Sequence, residues 1–452
     1  MSPNSNGAAA AVEEKKAKEE EKKEEKKPLK FLFVSYEGLI GDLAWEVKKE
    51  GSEVKYYIRD KSEKDVCDGF VDKCDEWKDC KDWADVIVLD DIGFGQIAED
   101  LRKEGKLVVG GSVYTDRLED DREFGQDELS KIGVNTLPHW DFLSFDDAIA
   151  FVKKNPERYV IKPSGMAQNE KELTFVGQEE DGNDVINVLE HYKKSWSKKI
   201  SAIQLQKFVQ GVEVAVGVFF NGKEFVNPIF INFEHKKLFP GGLGPNCGEM
   251  GTMGMWCPPN KLFNETLLKM KEVLAASGYS GYFDLNCIVN SRGIYPLEFT
   301  SRFGYPTTSL QVEGITSRWS EFLRSLAAGE ATELKTKKGF QICIVVAVPP
   351  FPFTDPAAFK RQSEDAIVIF KKPNLDGVHL GDVKLVEDDW RLAGQSGYAV
   401  IVTGSGTTLD DASKQAYSRV KNIMIPNMFY RTDIGGKWAQ EGDMLYTWGY
   451  LY

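Results

Sequence analysis

Apolar positions along the chain switch between two periods. Phe31, Leu32, Phe33 and Val34 run unbroken between Lys30 and Ser35, which reads as a strand buried on both faces. Segments 54–58, 86–89 and 106–109 repeat the pattern. Between them lie stretches of helical period over 42–50, stopped by Gly51, and over 97–104. Strands alternating with helices predict a small parallel, doubly wound unit, closed by a helix over 116–133. Beyond it the spacing predicts a helix over 145–154 and strands over 159–162, 173–176, 201–209 and 213–220, with a hairpin turn at Asn221-Gly222. An amphipathic helix is expected over 264–277, with Gly278 past its end, and another over 319–328. After Gly339, strands over 340–348, 366–370, 378–380 and 399–403 stand among prolines and glycines, followed by a helix over 409–422. This part reads as a separate β-rich domain.

At 452 residues the chain is too long for one core, and two to four domains are expected. The net charge of −13 argues against an electrostatic nucleic-acid binder. No apolar run is long enough to span a bilayer, and no secretory signal is present. Seven scattered cysteines, an odd number, suggest reduced thiols and a cytoplasmic location. Cys67, Cys74 and Cys80 match no zinc spacing. Residues 13–27 hold seven Glu and seven Lys with no apolar face, so residues 1–28 read as a disordered, solvated tail.

Two motifs carry chemistry. The first is 281–304, read as two strands joined by a turn at Asn290-Ser291-Arg292-Gly293. Asp284 falls on one face of the first strand, and Glu298, Thr300 and Arg302 share a face of the return strand. A three-residue loop would set Asp284 directly across from Glu298. Facing carboxylates repel, and a divalent cation with oxygen ligands, which commonly also holds phosphates, would compensate. The second is Gly241-Gly242-Leu243-Gly244-Pro245-Asn246-Cys247-Gly248-Glu249-Met250-Gly251, with five glycines in eleven residues. Such a run is neither helix nor ordinary strand. It brings backbone N–H groups close to a ligand.

In order, these motifs resemble the ATP-grasp superfamily and, within it, the phosphoribosylamine–glycine ligase family. Residues 244–251 are similar to that family's GPNTGGMG loop, 297–306 to its EFNxRFGDP segment, 208–213 to its EEFLxGEE segment, and 406–435 to its closing helix and RxDIG tail. The resemblance implies an α/β and α+β multidomain fold. Its expected parts are an N-terminal α/β domain (29–128), a lid subdomain (129–200), a central catalytic domain (201–335), a β-rich C-terminal domain (336–440) and a tail (441–452). It also implies an ATP-dependent ligase that joins a carboxylate to an amine through an acyl phosphate. ATP and Mg²⁺ or Mn²⁺ would be cofactors, glycine and phosphoribosylamine the small-molecule substrates, and the protein a monomer or small oligomer. Glu298 and Arg302 would be catalytic. Asp284, Glu298 and Thr300 would hold metal, the first argued from the hairpin itself. Arg122, Lys162, Gln206, Lys207, Val209 and Glu213 would hold ATP, and Gly244, Pro245, Asn246, Gly248 and Gly251 the amino acid. Three departures stand out. The lid loop reads Pro163-Ser164-Gly165-Met166-Ala167-Gln168-Asn169-Glu170-Lys171. Tyr305 replaces an aspartate. The loop Tyr36-Glu37-Gly38-Leu39-Ile40-Gly41 lacks the Arg and His expected to meet phosphoribosylamine. Two alternatives follow: a ligase for a different amine, and a non-catalytic nucleotide-binding homologue.

Overall fold

A computed structural model describes residues 27–164 and 173–452. The expectations for most of the tail (1–26) and of the lid loop (165–172) lie outside the described residues. The first unit is a five-stranded parallel sheet of β1 (Lys30–Ser35), β2 (Glu53–Ile58), β3 (Asp72–Lys73), β4 (Val86–Leu89) and β5 (Leu107–Val109), in the order β3-β2-β1-β4-β5. Both faces are buried as the unbroken apolar runs require: Phe31 and Phe33 pack in one core with Leu43 and Val47, and Leu32 and Val34 in another with Ala98 and Leu101. The strand order reverses between β1 and β4, so their carboxyl ends open a crevice where such sheets bind ligands.

The second unit is a four-stranded sheet, order β6-β9-β7-β8, of β6 (His139–Phe142), β7 (Tyr159–Ser164), β8 (Phe175–Val176) and β9 (Ala202–Lys207). Helices Phe145–Lys154 and Asn183–Ser195 cover it and share its own core of Ile149, Val152, Leu189 and Leu205.

Then come β10 (Val212–Phe220), β11 (Phe225–Glu234), a ribbon of β12 (Lys237–Phe239) and β13 (Leu243–Asn246), β14 (Gly251–Cys257), the hairpin β15 (Gly281–Asn290) and β16 (Gly293–Thr300), and β17 (Phe340–Val346). The last strands are β18 (Ile369–Phe370), β19 (Val378–Leu380), β20 (Val383–Val386), β21 (Asp389–Leu392), β22 (Val400–Gly406) and β23 (Ile423–Met424). Eight of them form one sheet, β16-β15-β10-β11-β14-β17-β22-β19. Of the strands after 336, β17, β22 and β19 belong to this sheet, while β18 with β23 and β20 with β21 form two-stranded sheets of their own. β17 pairs with β14 and carries the central sheet onward through β22 and β19, because β17 is buried almost throughout and its backbone N–H and C=O groups need partners on both edges.

Three helical expectations are redrawn. The helix over 116–133 is two, Val113–Asp120 and Arg122–Lys131, divided at Asp121, whose carboxylate caps Phe124 N–H. The helix over 264–277 breaks at Thr266, whose φ −125° and ψ −93° leave the helical region. The C-terminal segment read as a tail contains the helix Gly436–Thr447, and Leu445 and Tyr450 are buried against the core.

Candidate active site

The two small units and the central sheet enclose a cavity of about 1390 Å³. Its walls include Arg122, Lys162, Gln206, Lys207, Val209, Glu213, Asn246, Gly248, Glu298, Thr300 and Arg302. Five distant sequence segments thus converge on one space. Gly244, Pro245, Gly251 and Asp284 are not in that wall.

The hairpin builds the floor. Its turn holds two residues, since Asn290 pairs with Gly293, and an irregularity between Asn286 and Cys287 shifts the register. Asp284 therefore stands across from Thr300, and Glu298 across from Asn286. The expected direct opposition of Asp284 and Glu298 does not occur. Pro296, which has no N–H to give the ladder, lies at the slip, and one extra residue on the return strand absorbs it. The two carboxylates keep a common face as diagonal neighbours. Asp284 is 5% exposed and accepts hydrogen bonds from Asn232 Nδ2 (3.1 Å) and Tyr282 OH (3.0 Å). Burial, then the nearby Glu234, lift its pKa to about 7.

Lys236 ties the floor together, and sequence reasoning missed it. Its Nζ lies 3.1 Å from Glu213, 3.2 Å from Glu234 and 3.1 Å from Glu298. Burial alone would lower its pKa, but Glu298, Glu213 and Glu234 hold it well above the usual range. Burial likewise opposes ionisation of Glu213, yet Lys236 and Lys437, with a bond from Asn286 (3.0 Å), hold it at about 2. The signal for Lys236 is the basic triplet His235-Lys236-Lys237 between an apolar strand and the glycine loop.

Above the floor, charge balances differently. Arg122 opens the helix Arg122–Lys131, and Lys162 lies on β7. Among the described residues neither has a carboxylate within ion-pair distance. Burial, then Arg122, depress Lys162 to about 7; burial also lowers Arg122. Two basic side chains without an ion-pair partner among the described residues, beside a carboxylate floor, make an anion site. Beside them Gln206 is buried in β9, between His139 and Val160, and Lys207 reaches Glu157 at 2.9 Å.

The glycine loop is partly regular, contrary to expectation. Residues 243–246 pair with β12, and Gly251 is buried in β14 opposite Ile344. Gly248 (φ +80°) remains the turn facing the cavity. The C-terminal motif fixes this loop: Asp433 accepts from Gly241 N–H (2.9 Å), and Arg431 donates to Lys237 O (2.8 Å).

Residues 120–308 match the family model for the ATP-grasp (A) domain of phosphoribosylglycinamide synthetase. The chain carries an ATP-grasp domain of this kind. It is 23% identical to phosphoribosylamine–glycine ligase from Clostridium acetobutylicum, over 75% of this chain and 81% of that one. It is 26% identical to the same-named protein of Caulobacter vibrioides, over 76% and 81%. Its fold is similar to the crystal structure of phosphoribosylamine–glycine ligase from Thermotoga maritima (TM-score 0.68, 20% identity, covering 90% of this chain and 100% of that chain). It is also similar to a biotin carboxylase domain from Hydrogenobacter thermophilus in complex with MgADP (TM-score 0.60, 13% identity, 94% and 96%).

ATP-grasp proteins use ATP with a divalent metal. Among the described residues no group of three or more His, Cys, Asp or Glu is arranged to hold a metal alone. Asp284 and Glu298 on one face suit a cation that takes its other oxygens from phosphates and water. Their fit shows in Asp284, a buried carboxylate crowded by Glu234, and a metal at Glu298 would share that carboxylate with Lys236. Arg302 lines the same cavity, 3.0 Å from Asp91 and 3.1 Å from Glu119. Around it Glu37, Asp91 and Glu119 line the wall from the first unit.

Proposed function

We propose that the protein is an ATP-dependent carboxylate–amine ligase of the phosphoribosylamine–glycine ligase kind. Arg122 and Lys162, two half-buried cations that line the cavity with no carboxylate within ion-pair distance among the described residues, carry this reading. They receive the triphosphate, while Gln206, Lys207 and Val209 face the base and Glu213 the ribose. A bound Mg²⁺ supplies neutralisation of phosphate charge beside Asp284, Glu298 and Thr300. The substrate carboxylate attacks the γ-phosphorus, the bond to the β-phosphate oxygen breaks, and ADP leaves with the acyl phosphate formed. The amine then attacks the acyl carbon, phosphate departs, and the amine loses a proton. The cavity walls position the reacting groups and limit the access of water to the acyl phosphate. The loop through Asn246 and Gly248 holds the amino acid. A cytoplasmic enzyme of purine biosynthesis, with glycine and phosphoribosylamine as substrates, fits these features.

A specific observation favours a different acceptor amine. The wall that would meet phosphoribosylamine carries Glu37, Asp91 and Glu119, and Arg302 is already paired with two of these. ADP release with Mg-ATP and glycine, with and without fresh phosphoribosylamine, separates the two. Release that needs both substrates supports the purine ligase, and release with glycine alone sends the search to another amine. Glu298→Gln is expected to abolish ADP release while far-UV circular dichroism stays unchanged. Undiminished release in that variant overturns the metal assignment.

A further inference from the structure

The helix Gly436–Thr447, in the segment expected to be a tail, brings Lys437 and Gln440 into the cavity wall. Its place is fixed at both ends. Trp438 packs edge-on against Phe233 of β11, with ring centroids 5.4 Å apart. Past the other end, Leu262 N–H donates to Tyr450 O (3.1 Å) and Lys261 N–H to Tyr452 O (3.0 Å). From this anchored helix Lys437 reaches the strands of the floor. Its Nζ donates to Glu234 O (2.8 Å) and lies 3.8 Å from Glu213 Oε2. The other oxygen of Glu213, Oε1, accepts from Lys236 (3.1 Å) and from Asn286 Nδ2 (3.0 Å). One oxygen is thus gripped by two donors, while the other faces Lys437 beyond hydrogen-bond distance. Both side chains keep about a third of their surface open, 33% for Lys437 and 31% for Glu213. A cation in the first turn of a helix opposes the helix dipole, so the contacts with Glu234 and Glu213 must offset that cost.

We propose that Lys437 is a positioning residue for the nucleotide: it holds the carboxylate of Glu213 with Oε2 turned to the ribose hydroxyls. The inference rests on the ligase reading, in which Glu213 faces the ribose, and adds a residue from outside the ATP-grasp match at 120–308. An ammonium has three N–H donors. One is used on Glu234 O, which fixes the direction of Nζ and leaves the others toward Oε2. A carboxylate accepts hydroxyl hydrogen bonds most strongly when it is ionised. Burial opposes that charge on Glu213, and Lys236 and then Lys437 restore it. Lys236 does not serve alone, because it meets Glu213 at Oε1 and is shared with Glu234 and Glu298.

The test measures the Kd of Mg-ATP and of its 2′,3′-dideoxy analogue by calorimetry, without other substrates, in the wild type, Lys437→Gln, Lys437→Met and Lys437→Arg. The wild type is expected to bind ATP more tightly than the dideoxy nucleotide. Lys437→Gln keeps a donor for Glu234 O and removes the charge. It and Lys437→Met are expected to weaken ATP roughly 5- to 20-fold, part of the worth of hydrogen bonds to a charged group, and the dideoxy nucleotide less than about twofold. Retained binding of the dideoxy nucleotide also reports that the site is folded. Lys437→Arg should keep most of the preference. In a Glu213→Gln background, Lys437→Gln should cost less than about twofold, because its effect runs through that carboxylate. Equal weakening of both nucleotides, an unchanged Kd for ATP, or an undiminished loss in the Glu213→Gln background overturns the inference and leaves the ligase reading standing. So does a wild type that binds the two nucleotides equally. Failure of the wild type to bind either nucleotide overturns both.

Discussion

Burial, then the charges of Arg122 and Lys236, bring the pKa of Lys162 from the usual lysine range to about 7. A triphosphate beside it would favour the charged form and raise that value. Between the free and bound pKa values, ATP binding takes up a proton, so affinity falls as pH rises. The Kd for ATP is expected to increase up to about tenfold per pH unit above about 7. Lys162→Arg, which stays charged, should flatten the profile. Calorimetry at pH 7.5 to 9 in buffers of different ionisation enthalpy reads both the slope and the proton uptake. A pH-independent Kd for the wild type would show that Lys162 does not meet the phosphates. That Lys162, Glu213, Glu298 and Arg302 line one cavity was legible in sequence, because motif order marks them. Lys236 was not: its role depends on meeting Glu213, Glu234 and Glu298 from three strands, a convergence that no spacing announces.

At the scale of the element, the hairpin β15–β16 was legible as two strands with one polar face. Its register was not. Turn length alone cannot count the extra residue that Pro296 brings, so the partner of Asp284 moved from Glu298 to Thr300. On the other side of β15, Gly217 of β10 stands opposite Asp284. A Cβ at Gly217 would run into the Tyr282 hydroxyl and lie 2.6 Å from Asp284 Oδ2. The backbone of β10 is therefore drawn close to hold the carboxylate and its Tyr282 donor. Gly217→Ala is expected to destabilise the protein by about 1–3 kcal/mol, as overpacking does, and to raise the Mg²⁺ concentration needed for half-maximal ADP release. Urea unfolding and an Mg²⁺ titration check the two effects, and wild-type values in both would show that Asp284 is not held through this contact.

Across the whole molecule, the parallel sheet was legible from its unbroken apolar strands, whereas the continuation of the central sheet through β17, β22 and β19 was not. Those strands look alike in sequence whether they close a separate unit or extend another, and only long-range pairing decides. The joint is polar. Asp42, on the helix Gly41–Lys49, accepts from His379 Nδ1 (2.8 Å) and from Leu380 N–H (3.0 Å), which binds the first unit to β19. His379 Nε2 meets Thr403 Oγ1 (2.8 Å), and Thr403 donates to Glu313 (3.0 Å). Lys337 (2.7 Å) and Arg419 (3.2 Å) hold Glu313 from the other side. Burial opposes the charge on Glu313, but these two cations and Ser405 bring its pKa to about 2. A carboxylate depressed on folding stabilises above its unfolded pKa, near 4.5, and that stability is lost as pH falls toward 2. The shift corresponds to about 3 kcal/mol. Glu313→Gln should therefore lower the unfolding midpoint at pH 7, and the gap between it and the wild type should narrow steadily as pH drops from about 5 toward 2. Thermal unfolding followed across that range decides the point. A gap that stays constant with pH would mean that the joint is held by packing and by Asp42, with the charge on Glu313 contributing nothing.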